Sequence, residues 1–364
     1  MCKAISSPST AAGLPAEDAA VSERRTGPVV CFGEMLLRLS PQSHIPLAQA
    51  GSVAIDVGGA EANVAAALSS LGVPTRMMSV VPDNPLGCKA IAAMGAAGSD
   101  TRFIVKQPAK TPGRIGLYFF EPPAGPIAGR VTYDRAGSSF ALADPSALPF
   151  AEALDGASLL HMSGITPALG PDGVALARAA VAAAKAADVP ICFDGNYRAN
   201  LWDAWDSDPR AILTELMSEA TLMIGNHRDI SLLLGTTFSG DGPDRRREAS
   251  QAAFEAFPKL QLIASTARHV ETAGTHRIAA RIDLRDTHWQ TEEVRIENIV
   301  DRIGTGDAYA AGMLRSWLAG GSAQDMAKSG LALAALKHGV PGDMILVTAD
   351  DLDSFDPAGG DVRR

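Results

Sequence analysis

Short-range cysteine pairing is missing from this chain. Its four cysteines, Cys2, Cys31, Cys88 and Cys192, lie far apart with no CxxC pair among them, which removes the usual dithiol and zinc-clasp patterns. Cys31 and Cys192 sit in apolar runs and read as buried reduced thiols, so a reducing compartment is expected. Also missing is any apolar run near the ~18 residues that a membrane span needs. Residues 1–27 are rich in Ala, Ser, Pro, Glu and Arg without a hydrophobic stretch, so they read as a disordered extension and not as a secretory signal. Residues 354–364 read as a second tail, and a cytoplasmic location is expected. No Gly-Lys dipeptide occurs, hence no P-loop, and no GxGxxG follows the first strand, which disfavours a dinucleotide-dependent dehydrogenase. Basic residues are outnumbered, 32 against 41, for a net charge of −9. An acidic surface repels phosphodiester backbones, so nucleic acid is not an expected partner. The seven histidines show no metal-ligand spacing, and the isolated His161, His227, His269 and His338 read as structural.

What is present is a regular alternation. The 364 residues are 46% apolar and 20% charged, ample for a stable core. "VVCFG" (29–33), "RMMSVV" (76–81), "ASLLHMSG" (157–164), "VPICFD" (189–194), "TLMIG" (221–225) and "LQLIAS" (260–265) read as strands. Between them, "ANVAAALSSLG" (62–72), 172–187, "DPRAILTELMSEA" (208–220) and "REASQAAFEAF" (247–257) have helical spacing. Strand and helix in turn predict an α/β fold, a mostly parallel sheet sandwiched between helices. There is no internal repeat, and one domain over 28–353 is expected. Residues 35–57 and 113–135 break the alternation with strand patterns and no helix. They predict an antiparallel flap projecting from the sheet, of the kind that closes over a substrate.

The most informative stretch is "DRIGTGDAYAAG" (301–312). "VRIENIV" (294–300) alternates as a strand, and from Ala310 the residues Met313, Leu314, Trp317 and Leu318 share a helical face. The turn Gly304-Thr305-Gly306 therefore opens a helix whose free N–H groups suit an anion. Asp307 puts a carboxylate beside them, which by itself could be an N-cap; the glycines on both sides of Thr305 permit the close approach of a ligand, which capping alone does not need. If the anion is a phosphoryl group in transfer, the amides stabilise its developing charge and Asp307 accepts the proton of the attacking hydroxyl.

"DRIGTGDAYAAG" resembles the C-terminal signature of the ribokinase-like (PfkB) sugar kinases, D-x-x-G-A-G-D-x-F, and "VGGAEANVAAALSSLG" (57–72) resembles their N-terminal glycine-pair signature. "GEMLLRLSP", "PDNPLG", "GLYFFE", "YDRAGSSFA", "SGITPAL", "NYRANLW" and "LKHGVPGD" add a likeness to 2-keto-3-deoxygluconate kinases. The resemblance, over roughly residues 28–350, implies a three-layer α/β/α sandwich with a small β-lid and MgATP-dependent phosphorylation of the 6-hydroxyl of a six-carbon keto acid. It also implies a homo-oligomer and leaves a monovalent cation open as a further cofactor. It assigns Gly304, Thr305 and Gly306 to the anion hole and Asp307 to the base. Gly58, Gly59, Asn63, Tyr118, Tyr133, Arg135, Arg198 and Asp343 are assigned to the sugar acid, with the two arginines as anion ligands. Asn196, Asn226, Asp229 and Thr266 go to the nucleotide. Four positions depart from the family pattern: Thr305 stands for alanine, Tyr309 for phenylalanine, Asp229 for glutamate, and Gly195 for a larger apolar residue. In addition, "STARHVETAGTH" (265–276) lacks the glycine-spaced nucleotide loop of ribokinase. The alternatives are a kinase for 2-keto-3-deoxygalactonate, fructose or a nucleoside, and a non-catalytic sugar-binding relative.

Overall fold

A computed structural model of the chain describes residues 25–42, 45–123 and 127–357. The extension expected over 1–27 therefore lies outside the described residues except at 25–27, and the tail expected over 354–364 except at 354–357.

In chain order the strands are β1 (Val29–Phe32), β2 (Leu36–Pro41), β3 (Val53–Gly58), β4 (Thr75–Pro82), β5 (Ile104–Gln107), β6 (Gly116–Glu121) and β7 (Arg130–Asp134). They continue as β8 (Leu159–Ser163), β9 (Ile191–Asp194), β10 (Leu222–Ile224), β11 (Leu262–Thr272), β12 (Thr275–Leu284), β13 (His288–Gln290) and β14 (Val294–Ile296). The main sheet has the order β13-β12-β11-β10-β9-β8-β1-β4-β5, with β14 also on β12. From β5 to β11 every pairing is parallel, and β12 turns back antiparallel along β11. Period-2 alternation places Val29 and Cys31 of β1 in one core with Leu68 and Leu314. Val30 and Phe32 enter a second core with Leu176 and Phe254. Apolar residues on both faces need helices on both faces, which is the expected three-layer arrangement. Cys31 and Cys192 are buried free thiols in this sheet.

A separate four-stranded sheet, β3-β2-β6-β7, forms the flap. The antiparallel expectation needs correcting. β2–β3 and β6–β7 are antiparallel hairpins, but they join side by side through a parallel β2–β6 pairing. Both hairpins leave the same side of the main sheet, so their outgoing strands run the same way. Residues 35–57 also contain a 3-10 turn at Leu47–Gln49, entered from Pro46. The strand expected over 294–300 is shorter than its alternation suggests: only Val294–Ile296 pairs, and Asn298 turns the chain with a φ of +53°. "STARHVETAGTH" (265–276) is extended rather than glycine-looped. It is the long end of β11 and the start of β12, joined in a hairpin.

The flap strands differ in how they are held. All five residues of β7 are exposed, while all five of β8 are buried. Backbone amides in β7 are expected to exchange with deuterium faster than those in β8 in the ligand-free protein. Equal protection of the two segments by mass spectrometry overturns the view of β7 as the loose edge.

Candidate active site

The motif residues collect at the carboxyl ends of the parallel strands, the usual ligand side of an open α/β sheet. Every residue singled out from the sequence except Gly58 lines one cavity of about 790 Å³ beneath the flap. Gly58 lies behind its wall, where a Cβ would sit 2.0 Å from an Asp343 carboxylate oxygen. Its smallness makes room for Asp343.

The glycine turn is built as the sequence suggests. Gly304 caps the helix Thr305–Leu318 with a φ of +79°, and a Cβ there would lie 2.1 Å from the backbone oxygen of Asp343. Any other residue is both strained and blocked at this position. Ala308 N–H closes the first helical bond, to Gly304. The preceding amides of Thr305, Gly306 and Asp307 meet no protein acceptor among the described residues, as expected of a first helical turn. The Thr305 hydroxyl donates to the Arg302 carbonyl at 3.0 Å, so the departure from alanine braces the turn while the backbone N–H stays free. Asp307 is the third residue of the helix and not its cap.

Asp307 faces the cavity from a half-buried position. Burial pushes its carboxyl up to about 6, although the Asn63 side-chain amide donates to it at 2.7 Å. Ionised at neutral pH yet poorly solvated, it is a better proton acceptor than an ordinary aspartate. Asn63 is presented by the helix Ala60–Ser70, which starts at Gly59 with a φ of +132°.

The flap supplies Tyr118 and Tyr133, directly paired across β6 and β7 with ring centroids 6.0 Å apart. Tyr118 donates to Asp343 at 2.5 and 2.6 Å, and burial followed by the Asp343 charge keeps it a neutral phenol. Arg135, expected to bind an anion, is already paired. Its Nε and Nη2 donate to Glu34 at 2.8 and 2.5 Å, with both side chains buried. The uncommitted guanidinium among the two expected arginines is Arg198, which has no hydrogen-bond or ion-pair partner among the described residues yet draws down the carboxyls of Asp307, Asp194 and Asp229.

Asn226 and Asp229 form a capping box at the helix His227–Leu234: Asn226 accepts from Arg228 N–H and Asp229 accepts from Asn226 N–H, each at 2.8 Å. One oxygen of each thus has a local role while both residues line the cavity. The shortened acid has a counterpart in Gly195, where a Cβ would sit 2.9 Å from the Asp229 carboxylate. The two departures from the family pattern are neighbours in space. Asn196 takes a positive φ of +37° and donates its N–H to Asp194 at 3.1 Å. Thr266 stands on β11, where the cavity continues into a second lobe of about 550 Å³. His338, read from the sequence as isolated, meets His276 edge-to-face at 5.7 Å.

Several contributors were not singled out from the sequence. Asp194 and Glu61 line the cavity beside Asp307. Burial raises both, Asp194 further through Asp307, and Glu61 to about 7. Arg228, Arg268 and Arg302 also line it, without a carboxylate partner among the described residues. Arg268 is depressed by burial of its surroundings and then by Arg302, so two like charges converge with no acid between them. Each of these residues stands one to three places from a motif residue, and adjacency was the only signal available. Among the described residues, no three His, Cys, Asp or Glu side chains converge as a metal site, and no helix is long and apolar enough to cross a membrane.

The model of the pfkB family carbohydrate kinases matches residues 27–349. The chain belongs to this family. Its sequence is 32% identical over 332 residues to the 2-dehydro-3-deoxygalactonokinase of Haloferax volcanii, covering 90% of this chain and 96% of that protein. It is 26% identical over 334 residues to the 2-dehydro-3-deoxygluconokinase of Bacillus subtilis, covering 90% and 94%. A crystal structure of 2-dehydro-3-deoxygluconokinase from Thermotoga maritima superposes with a TM-score of 0.85 at 30% identity, covering 92% of this chain and all of that one.

In this pfkB-family kinase the half-buried, poorly solvated Asp307 has a consequence for stability. Its folded pKa of about 6 lies above the unfolded value near 3.9. The stability it contributes is therefore full below pH ~4 and is lost as pH rises through about 6. Above that, the ionised carboxylate costs on the order of 1–3 kcal/mol. Asp307→Asn is expected to raise the melting temperature at pH 7.5 and to give no gain at pH 3.5. A lower melting temperature at pH 7.5 overturns the view of Asp307 as a desolvated charge.

Proposed function

We propose that this chain is an ATP-dependent kinase for a 2-keto-3-deoxy six-carbon sugar acid, 2-keto-3-deoxygluconate in the first instance, phosphorylated on its 6-hydroxyl. The observation that carries the reading is the pairing of a poorly solvated carboxylate, Asp307, with three free helix N–H groups in a cavity lined by unpaired arginines. A carboxylate that takes a proton and donors that hold a phosphoryl group have to stand together, because the hydroxyl attacks the phosphorus those donors bind.

Asp307 would receive the hydroxyl proton as the oxygen attacks. The amides of Thr305, Gly306 and Asp307 would meet the negative charge that spreads over the transferring group. Arg228 and Arg268, shared by both lobes of the cavity, face the nucleotide phosphates in this reading. Arg198, confined to the first lobe, takes the substrate carboxylate, a group that fructose and ribose lack. Tyr118, Tyr133 and Asn63 shape and orient the sugar. The flap above them excludes water, so that ATP is not spent on hydrolysis.

The fit to a divalent cation rests on Asp194 and Asp229, whose carboxyls are raised by burial and, for Asp194, also by its neighbours. These are acids in excess of local positive charge, suited to a hydrated ion held mainly by phosphates. When bound, magnesium supplies charge neutralisation and orientation of the phosphate oxygens. The choice between the gluconate and galactonate epimers rests on both similarities above, and a direct comparison decides it.

ADP release by the purified protein is expected to be ~10²-fold or more higher in kcat/KM for one of the two keto acids than for fructose, ribose or a nucleoside. Preference for a neutral sugar overturns the substrate class. Asp307→Asn is expected to lose ~10²–10⁴-fold in kcat while still binding both substrates. Turnover within a few-fold of wild type removes Asp307 as the base. Arg198→Ala is expected to raise KM for the keto acid ~10-fold or more and KM for ATP only a few-fold. Equal effects on both would place Arg198 at the phosphates instead.

A further inference from the structure

Arg38 lies outside every role assigned so far. It is a flap residue on β2, only 5% exposed, and stands level with Tyr118 on β6. Its Nη1 meets Asp301 at 2.7 Å and Asp343 at 3.1 Å, its Nε donates to Ser40 at 2.7 Å, and the guanidinium rests 4.4 Å from the centre of the Phe120 ring. Both carboxylates lead onward. Asp301 accepts from Ile303 N–H at 2.9 Å and Gly342 N–H at 3.2 Å, fixing the approach to the glycine turn from two segments. Asp343 accepts from Tyr118 in the flap, and its backbone oxygen packs against Gly304. Lys337, fully buried and donating to the Val340 carbonyl at 2.8 Å, adds a second cation to the same ground.

We propose that Arg38 is a positioning residue that links order in the flap to order in the glycine turn, through Asp343 on one side and Asp301 on the other. A sugar acid held against Tyr118 and Tyr133 steadies the flap strands. Arg38 carries that constraint to Asp301, and Asp301 sets the backbone whose amides face the phosphoryl group. The donors are then in register only when the acceptor hydroxyl is present, which limits transfer to water. A buried ion pair is a costly way to gain stability alone, since a well-packed apolar pair serves as well. A pair that joins two distant segments, the flap strand and the approach to the glycine turn, has a positional use that an apolar pair lacks. The inference rests on the sugar-acid kinase reading and deepens it.

The test compares wild type, Arg38→Gln and Arg38→Lys by steady-state kinetics and by hydrogen exchange with and without 2-keto-3-deoxygluconate. In wild type the sugar acid is expected to slow exchange both in 116–121 and in 302–308. In Arg38→Gln, 116–121 should still respond while 302–308 does not, and kcat should fall ~10–100-fold, the scale of a misplaced reacting geometry. Arg38→Lys, which keeps a cation with fewer directed donors, should recover part of both. Should Arg38→Gln fail to fold, the double variant Arg38→Gln/Asp343→Asn removes one charge of each sign and is expected to show the same lost response in 302–308. A purely structural ion pair would lower the melting temperature of the variants and leave the response of 302–308 as in wild type, and that result overturns the proposal. So does a wild-type enzyme that turns over the keto acid without any change in 302–308. Absence of turnover and of any exchange response in wild type overturns the substrate reading itself.

Discussion

The desolvation of Asp307 is the constraint around which the cavity is arranged. A carboxylate at the start of a helix is ordinarily comfortable, because the free N–H groups carry partial positive charge. Here those groups point into the cavity, where an anionic ligand would take them, and Asp307 keeps one strong donor, Asn63. The acid is therefore held above its usual range without being neutralised, the condition a general base at neutral pH requires. The surrounding acids sharpen this. Asp343 adds repulsion while Arg198 and Lys337 oppose it, so the poise of Asp307 depends on charges from several elements of the chain.

The same economy explains which arginines are free. Arg38 and Arg135 are buried and committed to Asp301, Asp343 and Glu34. They hold the flap to the body and have little charge left for a ligand. Arg198, Arg228 and Arg268 are exposed to the cavity and lack such partners. Sequence alone does not separate the two classes, since all are arginines beside motif residues. Only the fold shows that Glu34, one place after the first strand and its glycine, reaches across 101 residues to Arg135.

Much of the architecture was legible in the sequence because its signals are local. Strand and helix alternation and the glycine turn before Thr305–Leu318 each depend on a few neighbouring residues. The flap's connectivity was not legible, since hairpins joined through parallel first strands have the same period-2 pattern as an antiparallel meander. The β11–β12 hairpin was missed because its outer half is polar and exposed, which erases the alternation a buried strand displays. The site was legible as a list of motif positions and much less so as chemistry. Gly58 and Gly59 are adjacent in one motif, yet one makes room for Asp343 and the other opens a helix.

The free charges that remain are sorted by place. Glu61, Asp194, Asp229 and Asp307 face the cavity from buried or half-buried positions, while Arg198, Arg228 and Arg268 face it from exposed ones, with Arg302 half-buried. Left to themselves the two groups cancel only in part: burial raises the carboxyls against the pull of Arg198, and burial, then Arg302, depresses Arg268. A ligand of one sign would relieve only half of this strain. On the proposed reading, a polyanion carrying a divalent cation would relieve both. On the same reading a keto acid would add one further negative charge, for which Arg198 remains. Arg198 makes no hydrogen bond or ion pair among the described residues, although its charge is felt by Asp307, Asp194 and Asp229, and on the proposed reading a neutral sugar would leave its directed N–H groups unused.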